Sequence, residues 1–139
     1  MIISAIDPGV TTGFAYADLG NDPSFFDVSS PDHFFLSVFP DINGLIDKLI
    51  ELRSDLVVIE DFNTAGTLNR ERKITIMTIG AVLATQRWLN KPVVTHVPQH
   101  RRAYLSQAHS LYPKAIIHSI DALAHLLCAI DLKEYRRLA

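Results

Sequence analysis

The run Ile2-Ile3-Ser4-Ala5-Ile6-Asp7-Pro8-Gly9 constrains this chain more than any other segment. Nearly unbroken apolar residues of this length fit a strand buried on both faces, which needs a central place in a sheet with layers above and below. Pro8-Gly9 ends the strand, because proline removes a ladder donor and glycine permits a sharp turn. The last side chain before that turn is a carboxylate, Asp7. A second apolar run, Leu56-Val57-Val58-Ile59-Glu60, also ends on an acid.

The remaining elements alternate in kind. Residues 12–17 read as a second strand, with Gly13 permitting a close approach, and residues 18–32 as a loop rich in Asp, Asn, Ser, Pro and Gly. Phe34–Phe39 reads as a third strand. Asp41 is a candidate N-cap for a helix over residues 42–53, whose Ile42, Leu45, Ile46, Leu49 and Leu52 follow helical spacing. After the strand ending at Glu60, residues 61–72 read as an exposed loop. Ile74–Leu89 reads as a helix with Ile74, Met77, Ala81, Ala84 and Trp88 on one face. Val93–Val97 reads as a fifth strand, Gln99–Leu111 as a helix, and His118 to Tyr135 as a final helix. The order β-β-β-α-β-α-β-α-α predicts an α/β fold: three antiparallel strands, then parallel crossovers, with helices on both faces of one mixed sheet.

Length and composition narrow the class. The 139 residues fit one domain, residues 1–139, with a real core. No apolar run reaches the roughly 18 residues of a membrane span, and no basic leader opens the chain, so a cytoplasmic protein is expected. The single cysteine, Cys128, excludes an internal disulfide and reads as a core residue. A net charge of -2 argues against an evenly basic surface, yet basic residues cluster at Arg70, Arg72 and Lys73, at Arg101 and Arg102, and at Arg136 and Arg137. That distribution leaves nucleic-acid binding open.

His118 and Asp121 are three residues apart and share a helix face. If that face covers the ends of neighbouring strands, Asp7, Glu60, Asp121 and His118 converge. Like charges about 4 Å apart repel by about 4 kcal/mol at an effective dielectric near 20, so such a cluster needs a cation. Oxygen ligands with one imidazole suit Mg²⁺ or Mn²⁺, and a pair of ions serves phosphodiester hydrolysis. Each residue also has a plainer reading: Asp7 as a turn former, Glu60 as a solvated strand end, Asp121 as half of a surface ion pair, His118 as a cap or core residue. Asp61 is expected on the opposite sheet face from Glu60.

Three motifs together resemble the RuvC-like branch of the RNase H-like nucleases: Ala5-Ile6-Asp7-Pro8-Gly9-Val10-Thr11-Thr12-Gly13, Val57-Val58-Ile59-Glu60-Asp61-Phe62, and His118-Ser119-Ile120-Asp121-Ala122-Leu123-Ala124-His125. The element order fits that family over nearly the whole chain. The resemblance implies an RNase H-like five-stranded sheet and a divalent-metal endonuclease. It also implies a homodimer that resolves four-way DNA junctions by paired nicks and uses no organic cofactor. Short members are common in bacteriophages, which would place the protein in a host cytoplasm. Carried over by residue, Asp7, Glu60 and Asp121 bind metal, and His118 stands where the family has Asp or His. Phe62 matches an aromatic that opens the junction centre. The segment before the last motif departs from the family in not being lysine-rich.

Phosphate contacts are expected from Arg70, Arg72, Lys73, Arg101 and Arg102. The helix over Ile74–Leu89 is the expected dimer contact, through Ile76, Ile79 and Leu83 with Thr78 and Gly80. Competing readings are a related nuclease acting on RNA or other branched DNA, and a non-catalytic nucleic-acid-binding adaptor. The Asp7–Gly13 segment is also similar to the phosphate loop of actin-like ATPases and sugar kinases, but those need two lobes.

Overall fold

The computed structural model describes residues 1–61 and 68–138, without the Arg137 side chain. Its five strands are β1 (Ile2–Asp7), β2 (Thr12–Asp18), β3 (Phe35–Phe39), β4 (Leu56–Glu60) and β5 (Val93–His96). They form one sheet in the order β3-β2-β1-β4-β5. The β3-β2-β1 meander is antiparallel and β4 and β5 join in parallel, as the element order predicts.

The helices are α1 (Ile42–Leu52), α2 (Arg70–Trp88), α3 (Pro98–Arg102), α4 (Leu105–Leu111) and α5 (Ile117–Asp131). Asp41 caps α1, its side chain accepting from the Gly44 amide at 2.8 Å. No helix of the described residues is long and apolar enough to cross a membrane.

Strand alternation divides the core in two. Ile3, Ala5, Ala15, Ala17, Leu56 and Val58 meet α5 on one face. Ile6, Phe14, Val57 and Ile59 meet Leu45 and Leu49 of α1 and Val82 of α2 on the other. The α5 side is built from small residues, so helix and sheet backbones approach closely. Gly13 is the extreme case: a Cβ there would lie 1.8 Å from the His118 carbonyl oxygen. Only glycine fits without moving backbone.

Three segments differ from the sequence reading. α2 begins at Arg70 rather than Ile74, because the Asn69 side chain caps it by accepting from the Arg72 amide at 2.9 Å. The expected helix over 99–111 is broken at Ala103-Tyr104, where Tyr104 leaves helical geometry and its hydroxyl donates to Asp131. The last helix stops at Asp131. Lys133 then takes a left-handed conformation (φ 53°), and a short 3-10 turn, Glu134–Leu138, folds back. Neither break carries the Gly or Pro that sequence reasoning looks for.

The inward face of α2 is also a correction. Thr75, Thr78, Val82 and Gln86 are buried, whereas Met77 is 61% and Trp88 73% exposed. Threonine can turn inward because its hydroxyl bonds the carbonyl one turn back: Thr75 to Glu71 and Thr78 to Ile74. Of the expected dimer contact, Ile76, Gly80 and Leu83 are exposed, Thr78 is buried, and Ile79 packs against the core.

Candidate active site

Strand register makes Asp7 and Glu60 neighbours. Ile6 pairs with Ile59 in the parallel β1–β4 ladder, so the next residues are the two acids. Alternation then selects the face. Ile3 and Ala5, Leu56 and Val58 point toward α5, so Asp7 and Glu60 do too. Asp7 also pairs with Gly13 across β1–β2, and the first turn of α5 crosses over Gly13. That crossing brings His118 Nδ1 to 3.8 Å from Asp7 Oδ2. Asp121, one turn further along α5, lies beside the same pair.

Arg101 of α3 enters this group. Its Nε donates to Glu60 Oε1 at 3.0 Å, and Nη1 lies 3.5 Å from Asp121 Oδ1. Sequence reasoning placed Arg101 among the surface phosphate contacts; in the fold its guanidinium bridges two of the predicted acids. No three His, Cys, Asp or Glu side chains among the described residues form a ready-made metal cage.

One cation does not neutralise three carboxylates. Burial, and then the charges of Glu60 and Asp121, push Asp7 up to about 7. Burial acts on Glu60 in the same sense. There it is outweighed by the hydrogen bonds and charges of His125 and Arg101, which hold Glu60 below the usual carboxylate range. The guanidinium of Arg101 is itself stabilised: burial opposes its charge, but Glu60, Asp121 and Asp7 raise its pKa. The site therefore holds more carboxylates than its one guanidinium can balance, and Asp7 is the one that retains its proton in response. That surplus, with an all-oxygen acid set and one imidazole, fits a hard divalent ion.

A buried chain of hydrogen bonds stands behind Glu60. His125 Nε2 is 3.1 Å from Glu60 Oε1 and His125 Nδ1 is 3.0 Å from His96 Nδ1. His96 Nε2 is 2.9 Å from Glu134 Oε1. His96, His125 and Glu134 were not singled out from the sequence. The spacing of His118, Asp121 and His125 along one helix face was the available signal for His125. Nothing local pointed to His96 or Glu134, which meet across 38 residues.

The basic residues fall in two places. Arg70, Arg72 and Lys73 occupy the first turn of α2. Arg70 borders a cleft of about 330 Å³ whose other walls include Gly9, Val10 and Thr12, the turn that follows Asp7. Arg102 is exposed on α3 beside Arg101. Phe62 lies outside the described residues.

No protein-family model matches this sequence, and no curated protein matches it. Among solved structures the chain is similar to Thermus thermophilus RuvC, at 16% identity and TM-score 0.70, covering 97% of each chain. The same protein in complex with a Holliday junction substrate gives 17% identity and TM-score 0.72, over 97% of this chain and 96% of that one. The fowlpox virus Holliday junction resolvase gives 16% identity and TM-score 0.56, over 99% of both chains. At these identities the likeness shows the fold: an RNase H-like mixed sheet spanning nearly the whole chain.

Proposed function

We propose that this protein is a divalent-metal-dependent endonuclease that cleaves branched DNA, with four-way junctions as its substrate. One observation carries the reading. Asp7, Glu60 and Asp121, from three separate elements, share a site at the carboxyl ends of β1 and β4, with Arg101 bridging two of them. Of the solved structures that share this fold, the fowlpox virus protein is named a Holliday junction resolvase and the Thermus thermophilus RuvC is seen in complex with a Holliday junction substrate.

Asp7, Glu60 and Asp121, with His118 at the margin, would hold Mg²⁺ or Mn²⁺, two ions per site. Bound there, the metal would supply an activated water and neutralise charge developing on the phosphate. The chain's own groups do the rest. Glu60, kept ionised by His125 and Arg101, is a ready anionic ligand. Asp7, whose pKa is raised by burial and like charge, would be ionised when holding the cation. Arg101 has five N–H donors, and those not aimed at Glu60 and Asp121 can meet a phosphate oxygen. His118, half-exposed beside Asp7, can carry a proton at the mouth of the site.

Arg70, Arg72, Lys73 and Arg102 supply phosphate contacts that position the DNA. Phe62, next but one after Glu60, is proposed to enter the junction centre. The exposed apolar face of α2, with Ile76, Met77, Leu83 and Trp88, is proposed as the homodimer contact that gives one active site per nicked strand. This reading implies a cytoplasmic setting and a short bacteriophage-type enzyme.

The test is incubation of a labelled four-way junction, a fork and a linear duplex, with and without Mg²⁺. Paired nicks confined to the junction are expected. Equal cutting of all three would make this a general nuclease, cutting of RNA alone would move the substrate class, and no cutting would leave only a binding role.

A further inference from the structure

Four ionisable side chains form one line through the protein interior: Glu60, His125, His96 and Glu134. His125 is fully buried, His96 is 1% exposed and Glu134 is 7% exposed. The line starts at a site carboxylate and ends in the C-terminal 3-10 turn. Such a buried polar line is costly to assemble unless every member is bonded. Here each link is a hydrogen bond of 2.9–3.1 Å. Its outer side is closed: His100 stacks on His96 with ring centroids 4.4 Å apart, and its own Nδ1 accepts from the Val97 amide.

The chain path has been bent to build it. His96 ends β5 on the α5 face, and His125 is one turn beyond Asp121. Glu134 reaches His96 only because α5 stops at Asp131 and Lys133 turns left-handed. With both carboxylates accepting, the three bonds need three imidazole N–H protons, one of them shared between the facing Nδ1 atoms. The ring planes are thereby fixed from both ends, and so is the side of Glu60 that His125 holds. Among the described residues the imidazole nearest Asp7 is His118, at 3.8 Å.

We infer that His125, His96 and Glu134 are positioning residues: a buried buttress, anchored in the C-terminal turn, that holds the Glu60 carboxylate in place to receive a divalent ion. This deepens the proposed nuclease reading and rests on Glu60 being a metal ligand. Groups that orient a metal's ligands commonly change affinity by about 10–100-fold when removed.

The experiment uses the full chain and Mn²⁺ as probe, with affinity read by calorimetry at 20 °C beside thermal melts and junction binding. Glu134→Ala and His96→Phe are expected to weaken Mn²⁺ binding by about tenfold or more while leaving metal-free junction binding unchanged. Glu134→Gln keeps one acceptor oxygen for His96 and is expected to lose much less. It carries the test if either larger change prevents folding, since any loss it shows must be smaller than tenfold yet measurable. A lower melting temperature with unchanged Mn²⁺ affinity in all folded variants would make the line a structural tie and overturn the inference. Wild-type protein that binds no Mn²⁺ would instead overturn the metal-site reading itself, and the buttress with it.

Discussion

Two of the helices that cover the sheet, α5 and α2, obey opposite rules. α5 turns apolar residues toward the strands: Ile120, Leu123, Ala124 and Leu127 are buried. α2 turns Thr75, Thr78 and Gln86 inward and leaves Met77, Leu83 and Trp88 in solvent. On the α5 side, hydrophobic burial and close packing fix the backbone, and the acids and histidines ride on that rigid contact. On the α2 side, the inward threonines bond their own helix and ask little of the sheet. The difference separates a face that completes one chain from a face with apolar surface to spare.

The largest effect should come from breaking the α5 contact. Gly13→Val puts side-chain atoms into the His118 backbone. A loss of about 4–5 kcal/mol is expected in denaturant unfolding, with displacement of His118 and Asp121. Retained stability would mean that α5 can lift without cost.

Asp7 offers a sharper probe of the same face. Folded Asp7 keeps its proton to about 7, whereas the unfolded chain releases it near 3.8. Between those values the folded state binds more protons, so Asp7 makes stability fall as pH rises from about 4 to about 7. The effect has an upper bound of about 4 kcal/mol. Melts in chelator from pH 4 to 8 should show wild type losing stability relative to Asp7→Asn, with Asn the more stable at pH 8. Parallel curves would contradict a crowded acid site.

The α2 side should respond differently. Leu83→Glu with Trp88→Glu should convert a dimer to a monomer in light scattering while changing the helical circular dichroism little, since both side chains are exposed. A monomeric wild type would remove the proposed contact. The smallest effect concerns the basic first turn of α2. Arg70→Ala with Arg72→Ala should flatten the log–log salt dependence of junction binding by about two units, nearly one per lost phosphate contact. An unchanged slope would take that turn out of the DNA interface.

The strands and their antiparallel-then-parallel plan were legible because strand patterning and turn residues act locally, whereas the placing of β1 beside β4, which makes Asp7 and Glu60 neighbours, is a tertiary pairing that the sequence left conditional. Gly13 was legible locally, as a glycine in a strand pattern. The inward face of α2 was not. Ile74, Met77, Ala81, Ala84 and Trp88 have helical spacing, but threonines that satisfy their own hydroxyls can replace them against the sheet. Nor could the sequence place Arg101 between Glu60 and Asp121, because the bend at Ala103-Tyr104 follows from a tertiary contact with Asp131. The fold of Glu134 onto His96 likewise depends on Lys133 taking a conformation its side chain does not favour.

The proposed cleavage requires carboxylates from distant segments to act together on DNA phosphate. Its most direct measurement is single-turnover cleavage of a four-way junction by wild type and Asp7→Asn in saturating Mg²⁺, with junction binding read in parallel. Paired nicks are expected from wild type, and loss of cleavage by at least about a thousandfold from Asp7→Asn, with binding intact. Cleavage by Asp7→Asn at the wild-type rate would contradict that requirement.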